Sequence, residues 1–252
     1  MKVTLIGYSN PMDNSDDPKR IVYTSLAQCY NSSFNPNEDL YPCEDKIEKI
    51  TNQVIKSGHH SVAEHVSFTF LIEDVSRALT HQLVRHRIAS FSQKSQRYTS
   101  SQFFVYVIPP SITKNKEALE LYMSTMDNLG KVYGRLYNEF EIPKEDARFV
   151  LPNACTTNIA MTMNIRSLGN FFGKRLCTRA QWEIRNLAKE LSNICKSVCP
   201  LFFEKNKLGY ADCIQNGYCK EEKSCGLMPK LTDLQNAYDS VKNSKNEEKI
   251  ND

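Results

Sequence analysis

Along the chain the apolar positions switch between two periods, and the switches mark out the elements. Val3-Thr4-Leu5-Ile6 opens as a first strand and leads into a turn-rich segment from Ser9 to Pro18, dense in Asn, Asp and Pro. Residues 20–30 have helical composition, and residues 31–43, rich in Asn, Pro and Ser, read as a loop. Ile47, Ile50, Val54 and Ile55 fall at i, i+3, i+7 and i+8, which predicts a helix over 44–57 with Gly58 placed to end it. Val66, Phe68, Phe70 and Ile72 then alternate with Ser67, Thr69 and Leu71, the period-two pattern of a strand.

From about Val75 the helical period returns, with Ala78, Leu79, Gln82 and Leu83 on one side, and runs into Arg85-His86-Arg87. The polar, Ser/Gln-rich stretch 88–102 is expected to be loop. Leu119, Tyr122, Met126, Leu129, Tyr133, Leu136 and Phe140 predict a long helix over 115–140. Ile159, Met161, Met163 and Ile165 alternate with Ala160, Thr162 and Asn164 as a second strand; Ser167 can cap a short helix after it. Residues 178–198 are strongly periodic around Trp182, Leu187, Leu191, Ile194 and Val198. After Pro200 the pattern weakens, and the last 16 residues carry seven charges, so a frayed tail is expected.

Composition narrows the class. The chain has 252 residues, 40% apolar and 24% charged, the balance of a soluble globular protein. A chain this long can bury roughly 70–75% of its unfolded surface without staples. A net charge of +3 is too small to announce a nucleic-acid protein, so any basic site must be local. No run approaches a membrane span, and Met1 to Gly7 lacks the apolar core of a secretion signal. Nine cysteines, an odd number at 29, 43, 155, 177, 195, 199, 213, 219 and 225, favour reduced thiols in the cytoplasm over a disulfide framework.

The densest chemical signal is residues 85–98, Arg-His-Arg-Ile-Ala-Ser-Phe-Ser-Gln-Lys-Ser-Gln-Arg-Tyr. Adjacent cationic groups at a helix end repel one another unless an anion binds, and a guanidinium fork suits phosphate. A solvated basic helix end is the plain alternative. Arg148, Arg166 and Arg175 stand at other polar interruptions of apolar surroundings, and together with Arg85, Arg87 and Arg97 they suit a ligand with several phosphates, or two phosphorylated ligands. Gly58-His59-His60-Ser61-Val62-Ala63-Glu64-His65 places three His and a Glu within seven residues, but without the His-Glu-x-x-His spacing of a metalloprotease. Hydrogen bonding to a polar heterocycle or ribose is the better use of that set. No Gly-x-Gly-x-x-Gly follows a strand and no P-loop exists. Cys213-x5-Cys219-x5-Cys225 lacks zinc-module spacing, so no metal site is expected. A phosphate or nucleic-acid binding module on Arg85–Arg97, and a metal protein using the His or C-terminal Cys cluster, stay open as competing readings.

Arg85-His86-Arg87, seven residues, then Ser95 resembles the Arg-His-Arg-x7-Ser signature of the flavin-dependent thymidylate synthases. The resemblance extends to Gly58-His59 with Glu64-His65, to Arg148-x-Val-Leu-Pro152, to Asn164-x-Arg166-Ser167-x-x-Asn170, and to Ala180-Gln181-Trp182-Glu183-Ile184. Five elements in family order over about residues 1–205 are specific where any single one is weak.

That resemblance implies an α+β fold, a central mainly antiparallel sheet flanked by helices, with the catalytic domain over 1–205 and a Cys-containing extension and charged tail over 206–252. It also implies synthesis of dTMP from dUMP with 5,10-methylenetetrahydrofolate as carbon donor, FAD as hydride carrier and NADPH as reductant. The partner is the chain itself, in a homotetramer whose active sites collect residues from several subunits, with neither nucleic acid nor membrane involved. His59, Ser61 and Glu64 would approach FAD, as would Arg85, His86, Arg87, Ile88, Gln93, Asn164, Arg166 and Asn170. Gln82, Arg85, Gln93, Lys94, Ser95, Gln96, Arg97, Arg148 and Arg175 would contact dUMP. Arg175, Ser95 and His59 would stand nearest the chemistry, with no Cys needed as nucleophile. Many relatives have Glu and Gly where this chain has Gln93 and Gln96, and Thr where it has Ser61.

Overall fold

The computed structural model describes every residue except Asp13, Asn14, Asp16, 31–34, 36–42, 98–103 and 249–252. The loop expected over 31–43 and Tyr98 at the end of the signature stretch therefore lie wholly or largely outside the described residues. Two compact units are formed, one from Met1–Tyr8 and Ser67–Met163, the other from Ser9–Val66 and Asn164–Asp252.

The first unit is built on a four-stranded sheet of β1 (Lys2–Tyr8), β2 (Ser67–Ser76), β3 (Ser90–Gln93) and β4 (Thr156–Asn164), in the order β1-β2-β4-β3. Both outer pairs are antiparallel, with Lys2 opposite Glu73 and Ser90 opposite Thr162. Alternation decides which face is covered: Phe68, Phe70, Ile72, Ile159 and Met161 have no exposed surface, while Thr69 and Thr162 share a 2.9 Å hydroxyl hydrogen bond on the other face. The helix expected from Val75 starts later, because buried Val75 still belongs to β2. It runs Arg77–Leu83, and the Ser76 hydroxyl accepts the Leu79 N–H at 3.0 Å as its cap. Ser90–Gln93, expected as loop, is an edge strand, since a short edge pairs through its backbone and needs no apolar side chains. The long helix is Lys116–Asn138, started by the Asn115 side chain accepting from the Ala118 N–H.

Among the described residues of the second unit the α-helices are Lys19–Tyr30, Glu44–Lys56, Ile165–Arg175, Trp182–Val198, Asp212–Asn216 and Leu231–Glu248. Gly58 follows the second of these at φ +84°, the left-handed conformation that glycine supplies without strain. The cap of Ile165–Arg175 is Asn164, not Ser167: Asn164 Oδ1 accepts the Ser167 N–H at 2.8 Å, and Ser167 lies buried inside the first turn. Gln181 caps the Trp182–Val198 helix by accepting from the Glu183 and Ile184 N–H groups. Phe171, Phe172, Phe202 and Phe203 are fully buried, with Phe172 edge-on to Phe203 at 5.9 Å between centroids. The tail expected to fray is helical to Glu248, with its side chains exposed from Thr232 as far as Ser240.

Packing past residue 200 is tight. The Gly209 N–H donates to the Phe203 carbonyl at 3.0 Å, and its carbonyl accepts the buried Ser192 hydroxyl at 2.7 Å. A Cβ on Gly209 would stand 2.6 Å from that Phe203 oxygen. Gly209→Ala is expected to cost about 1–3 kcal/mol, because backbone rather than a flexible side chain must yield. A denaturation midpoint unchanged from wild type would refute that packing.

Candidate active site

In the first unit the signature residues are delivered by the end of a helix and the edge of the sheet. The chain leaves Arg77–Leu83 through a turn in which the His86 N–H donates to the Leu83 carbonyl at 3.1 Å. That turn leaves Arg85, Arg87 and Ile88 exposed, with Gln82 and His86 half-buried. Edge strand β3 then carries the chain to Gln93, whose side-chain amide donates to the Thr80 hydroxyl at 3.0 Å and the Thr157 hydroxyl at 3.5 Å. A carboxylate at 93 could only accept from those hydroxyls, so the change to Gln reverses the donor sense of this contact.

The loop beyond β3 is pinned through its backbone. The Lys94 N–H donates to the Asn158 carbonyl at 2.9 Å, and the Lys94 carbonyl accepts from Arg77 Nη2 at 2.7 Å. Ser95 Oγ accepts the Arg97 N–H at 3.2 Å, a local turn that sets the two side chains; Gln96 between them is half-buried. Arg97 lines an open recess of about 280 Å³ with Tyr137, Pro143, Lys144 and Glu145. Arg148 Nε donates to the Glu145 carbonyl at 3.1 Å, so the structure brings Arg97 and Arg148 to the same short segment.

Arg77 is the residue that motif reading missed. Burial, and then the neighbouring Arg148 charge, lower its guanidinium below the ordinary value. Its Nε is buried and has no hydrogen-bond partner among the described residues. Two guanidinium charges that repel one another, one of them with a buried donor lacking a partner among the described residues, form a locus that an anion would relieve. A signal did exist: an Arg in the first turn, directly after the Ser76 cap, opposes the helix dipole and calls for a reason.

The second unit holds the other candidates. Glu64, on the short helix His60–His65, forms an ion pair with Arg166 Nη1. Both side chains are about half exposed, at 46% and 49%. On Ile165–Arg175 the exposed positions are Arg166, Asn170 and Lys174, spaced i, i+4 and i+8 as one polar stripe on a helix otherwise committed to the core. Asn164 spends its side-chain oxygen on the helix cap. Arg175, at the end of the helix, is half-buried, and desolvation pulls its guanidinium below the ordinary value. His59 and Ser61 are exposed, and His59 borders a cavity of about 380 Å³ with Tyr23, Leu26, Ile50 and Val54. Among the described residues no helix is long and apolar enough to cross a membrane.

Each unit thus carries one group of the candidates: residues 82, 85–88, 93–97 and 148 in the first, and residues 59, 61, 64, 164, 166, 170 and 175 in the second. Comparison with known proteins covers both groups. The family described as thymidylate synthase complementing protein matches residues 11–201. A flavin-dependent thymidylate synthase of Clostridium tetani is 42% identical over 242 residues, covering 90% of this chain and 93% of the relative. One from Pyrococcus horikoshii is 47% identical over 238 residues, covering 91% and 92%, and one from Saccharolobus solfataricus is 47% identical over 209 residues, covering 81% and 76%. On a match that spans every candidate residue from His59 to Arg175, the chain belongs to the flavin-dependent thymidylate synthase family.

Proposed function

We propose that this enzyme carries out the reductive methylation of dUMP to dTMP in de novo dTMP biosynthesis, with 5,10-methylenetetrahydrofolate as carbon donor, FAD as bound cofactor and NADPH as reductant. The observation that carries the reading is the pair of guanidinium charges Arg77 and Arg148 with the pinned Lys94–Arg97 loop, where the buried Arg77 Nε has no acceptor among the described residues. A nucleotide phosphate supplies that acceptor, with Arg85, Ser95, Arg97 and Arg148 as its fork and hydroxyl donors. Gln82, Gln93, Lys94 and Gln96 complete the substrate side, Gln93 through the position it gives the loop.

The donor set of the second unit suits a flavin dinucleotide: the Arg166 and Asn170 stripe offers fixed donors to phosphate and ribose, and Glu64 holds the Arg166 fork in place. His59 and Ser61, with Asn164, extend that set, and Arg85, His86, Arg87 and Ile88 of the signature turn are the first unit's own candidates for the cofactor. Bound FAD supplies the hydride chemistry. Arg175 stabilises the negative charge that develops on the pyrimidine as its C5 becomes nucleophilic, and partial burial strengthens that interaction. Ser95 orients the pyrimidine through its hydroxyl. The enzyme works as a cytoplasmic homotetramer whose active sites take residues from several subunits.

An absorbance spectrum before and after anaerobic NADPH, with and without dUMP, tests the reading. A two-band oxidised flavin spectrum that bleaches supports it. A colourless protein that fails to take up added FAD overturns it. Glu64→Gln is expected to weaken flavin retention roughly tenfold, since Arg166 loses its charged tether. Wild-type retention on desalting would remove Glu64 from the site.

A further inference from the structure

Four cysteines separated by up to 48 positions, Cys177, Cys213, Cys219 and Cys225, line one cavity of about 170 Å³ in the second unit. Separate devices hold three of them there. Cys213 sits on the Asp212–Asn216 helix, which is tied to the Ile165–Arg175 helix by Gln215 Nε2 donating to the Gly169 carbonyl at 3.3 Å. Cys219 is buried between two backbone bonds, its N–H on the Pro229 carbonyl at 2.7 Å and its carbonyl under the Leu231 N–H at 3.1 Å. Cys225 lies in a turn made by Gly226 at φ +83°, whose N–H donates to Ser224 Oγ at 3.1 Å.

The four thiols are not equivalent. Cys225 is exposed, and its sulfur receives hydrogen bonds from the Thr178 side chain and the Leu227 N–H, which hold its thiol below the ordinary range. Cys213 is half-buried, and it interacts with Cys219, Cys177 and Cys225; burial first, then these neighbours, push its thiol up. Lys174, Arg179, Lys220 and Lys223 line the same cavity together with Asp212 and Glu221, and Arg179 is ion-paired with Glu221 at 2.9 Å. An accessible sulfur with fixed donors, in one cavity with a more shielded thiol, is the arrangement of a reactive and a resolving cysteine.

We propose that this cluster is an oxidant-responsive thiol site, in which Cys225 reacts with a hydroperoxide and Cys213 resolves it to a disulfide. In the first step the Cys225 thiolate attacks a peroxide oxygen: an S–O bond forms, the O–O bond breaks, and the departing oxygen takes a proton as water or alcohol. Cys225 is then a sulfenic acid, oxidised by two electrons. In the second step the Cys213 sulfur attacks the Cys225 sulfur, the S–S bond forms, the S–O bond breaks, and the hydroxide leaves as water with the Cys213 proton. A dithiol reductant restores both thiols. The bond would staple the 217–229 segment to the Asp212–Asn216 helix.

The test uses the full chain, purified reduced and desalted anaerobically, then titrated with hydrogen peroxide, alkylated, digested and mapped by mass. A peptide cross-linking Cys225 to Cys213, reversed by dithiothreitol, is the expected result. Cys213→Ser should leave a sulfenic acid on Cys225 that dimedone captures, and Cys225→Ser should slow oxidation of the remaining cluster thiols roughly tenfold. Oxidation of Cys225 to sulfinic acid while Cys213 stays open to alkylation would overturn the proposal. So would cluster thiols in freshly purified protein that react only after a chelator removes bound zinc, which would make the cluster a metal-thiolate site instead.

Discussion

Arg175→Ala is expected to lower kcat/KM for dUMP by roughly a hundredfold or more while leaving the flavin complement unchanged. The helix that ends in Arg175 is anchored by Phe171 and Phe172, both fully buried, so the guanidinium is presented from a rigid base. Its position in the last turn suits the helix dipole, and its partial burial means that the charge has already lost part of its water. Such a charge interacts more strongly with a developing anion than a solvated one does. Truncation removes it without opening the aromatic core. Arg175→Lys keeps the charge but loses the planar fork, and should fall between the two. Steady-state kinetics with a parallel flavin count decide the matter: unchanged kinetics in the alanine variant would sink the assigned role.

Arg77→Ala is expected to raise KM for dUMP by roughly 10- to 100-fold, with a smaller effect on kcat. Arg77 Nη2 holds the Lys94 carbonyl at 2.7 Å, and Lys94 precedes the Ser95–Arg97 turn, so the loop loses one of its two tethers when the side chain goes and keeps only the Lys94 N–H bond to Asn158. Removal also takes away half of the cationic locus shared with Arg148. Arg77→Lys should restore part of the affinity through charge while leaving the loop less ordered. A fall in stability with KM unchanged would show that Arg77 serves only the scaffold. Measuring the thermal midpoint with and without dUMP separates the two, because a ligand that loses its site no longer stabilises the fold.

The pattern of apolar positions carried most of the elements. The helix over 44–57 with its Gly58 stop, the long helix from residue 115 and the helix before Pro200 were all legible, because an amphipathic period repeats over enough residues to be unambiguous. Two failures share a cause. Ser90–Gln93 pairs through its backbone at an edge, and nothing in its side chains advertises that. At the start of Ile165–Arg175, Asn164 and Ser167 are both competent caps, and only the path of the chain out of β4 decides between them. On the site side, residue type and spacing pointed to phosphate at the Arg cluster and to hydrogen bonding at His59–His65, while the assignments to FAD and dUMP came from the family resemblance.

What the amino-acid order determined by itself was therefore the set of elements and the family-bearing residues, both written in local spacing. Arg77 escaped it because an arginine's use lies in its partners: the Lys94 carbonyl is 17 positions away, and the Arg148 charge is contributed by another element. The cysteines make the same point. Cys213, Cys219 and Cys225 have no metal-module spacing and Cys177 stands far upstream, yet one cavity receives all four. Tertiary structure alone decided those neighbours, because burial and desolvation depend on which surfaces meet, and no local period encodes that meeting.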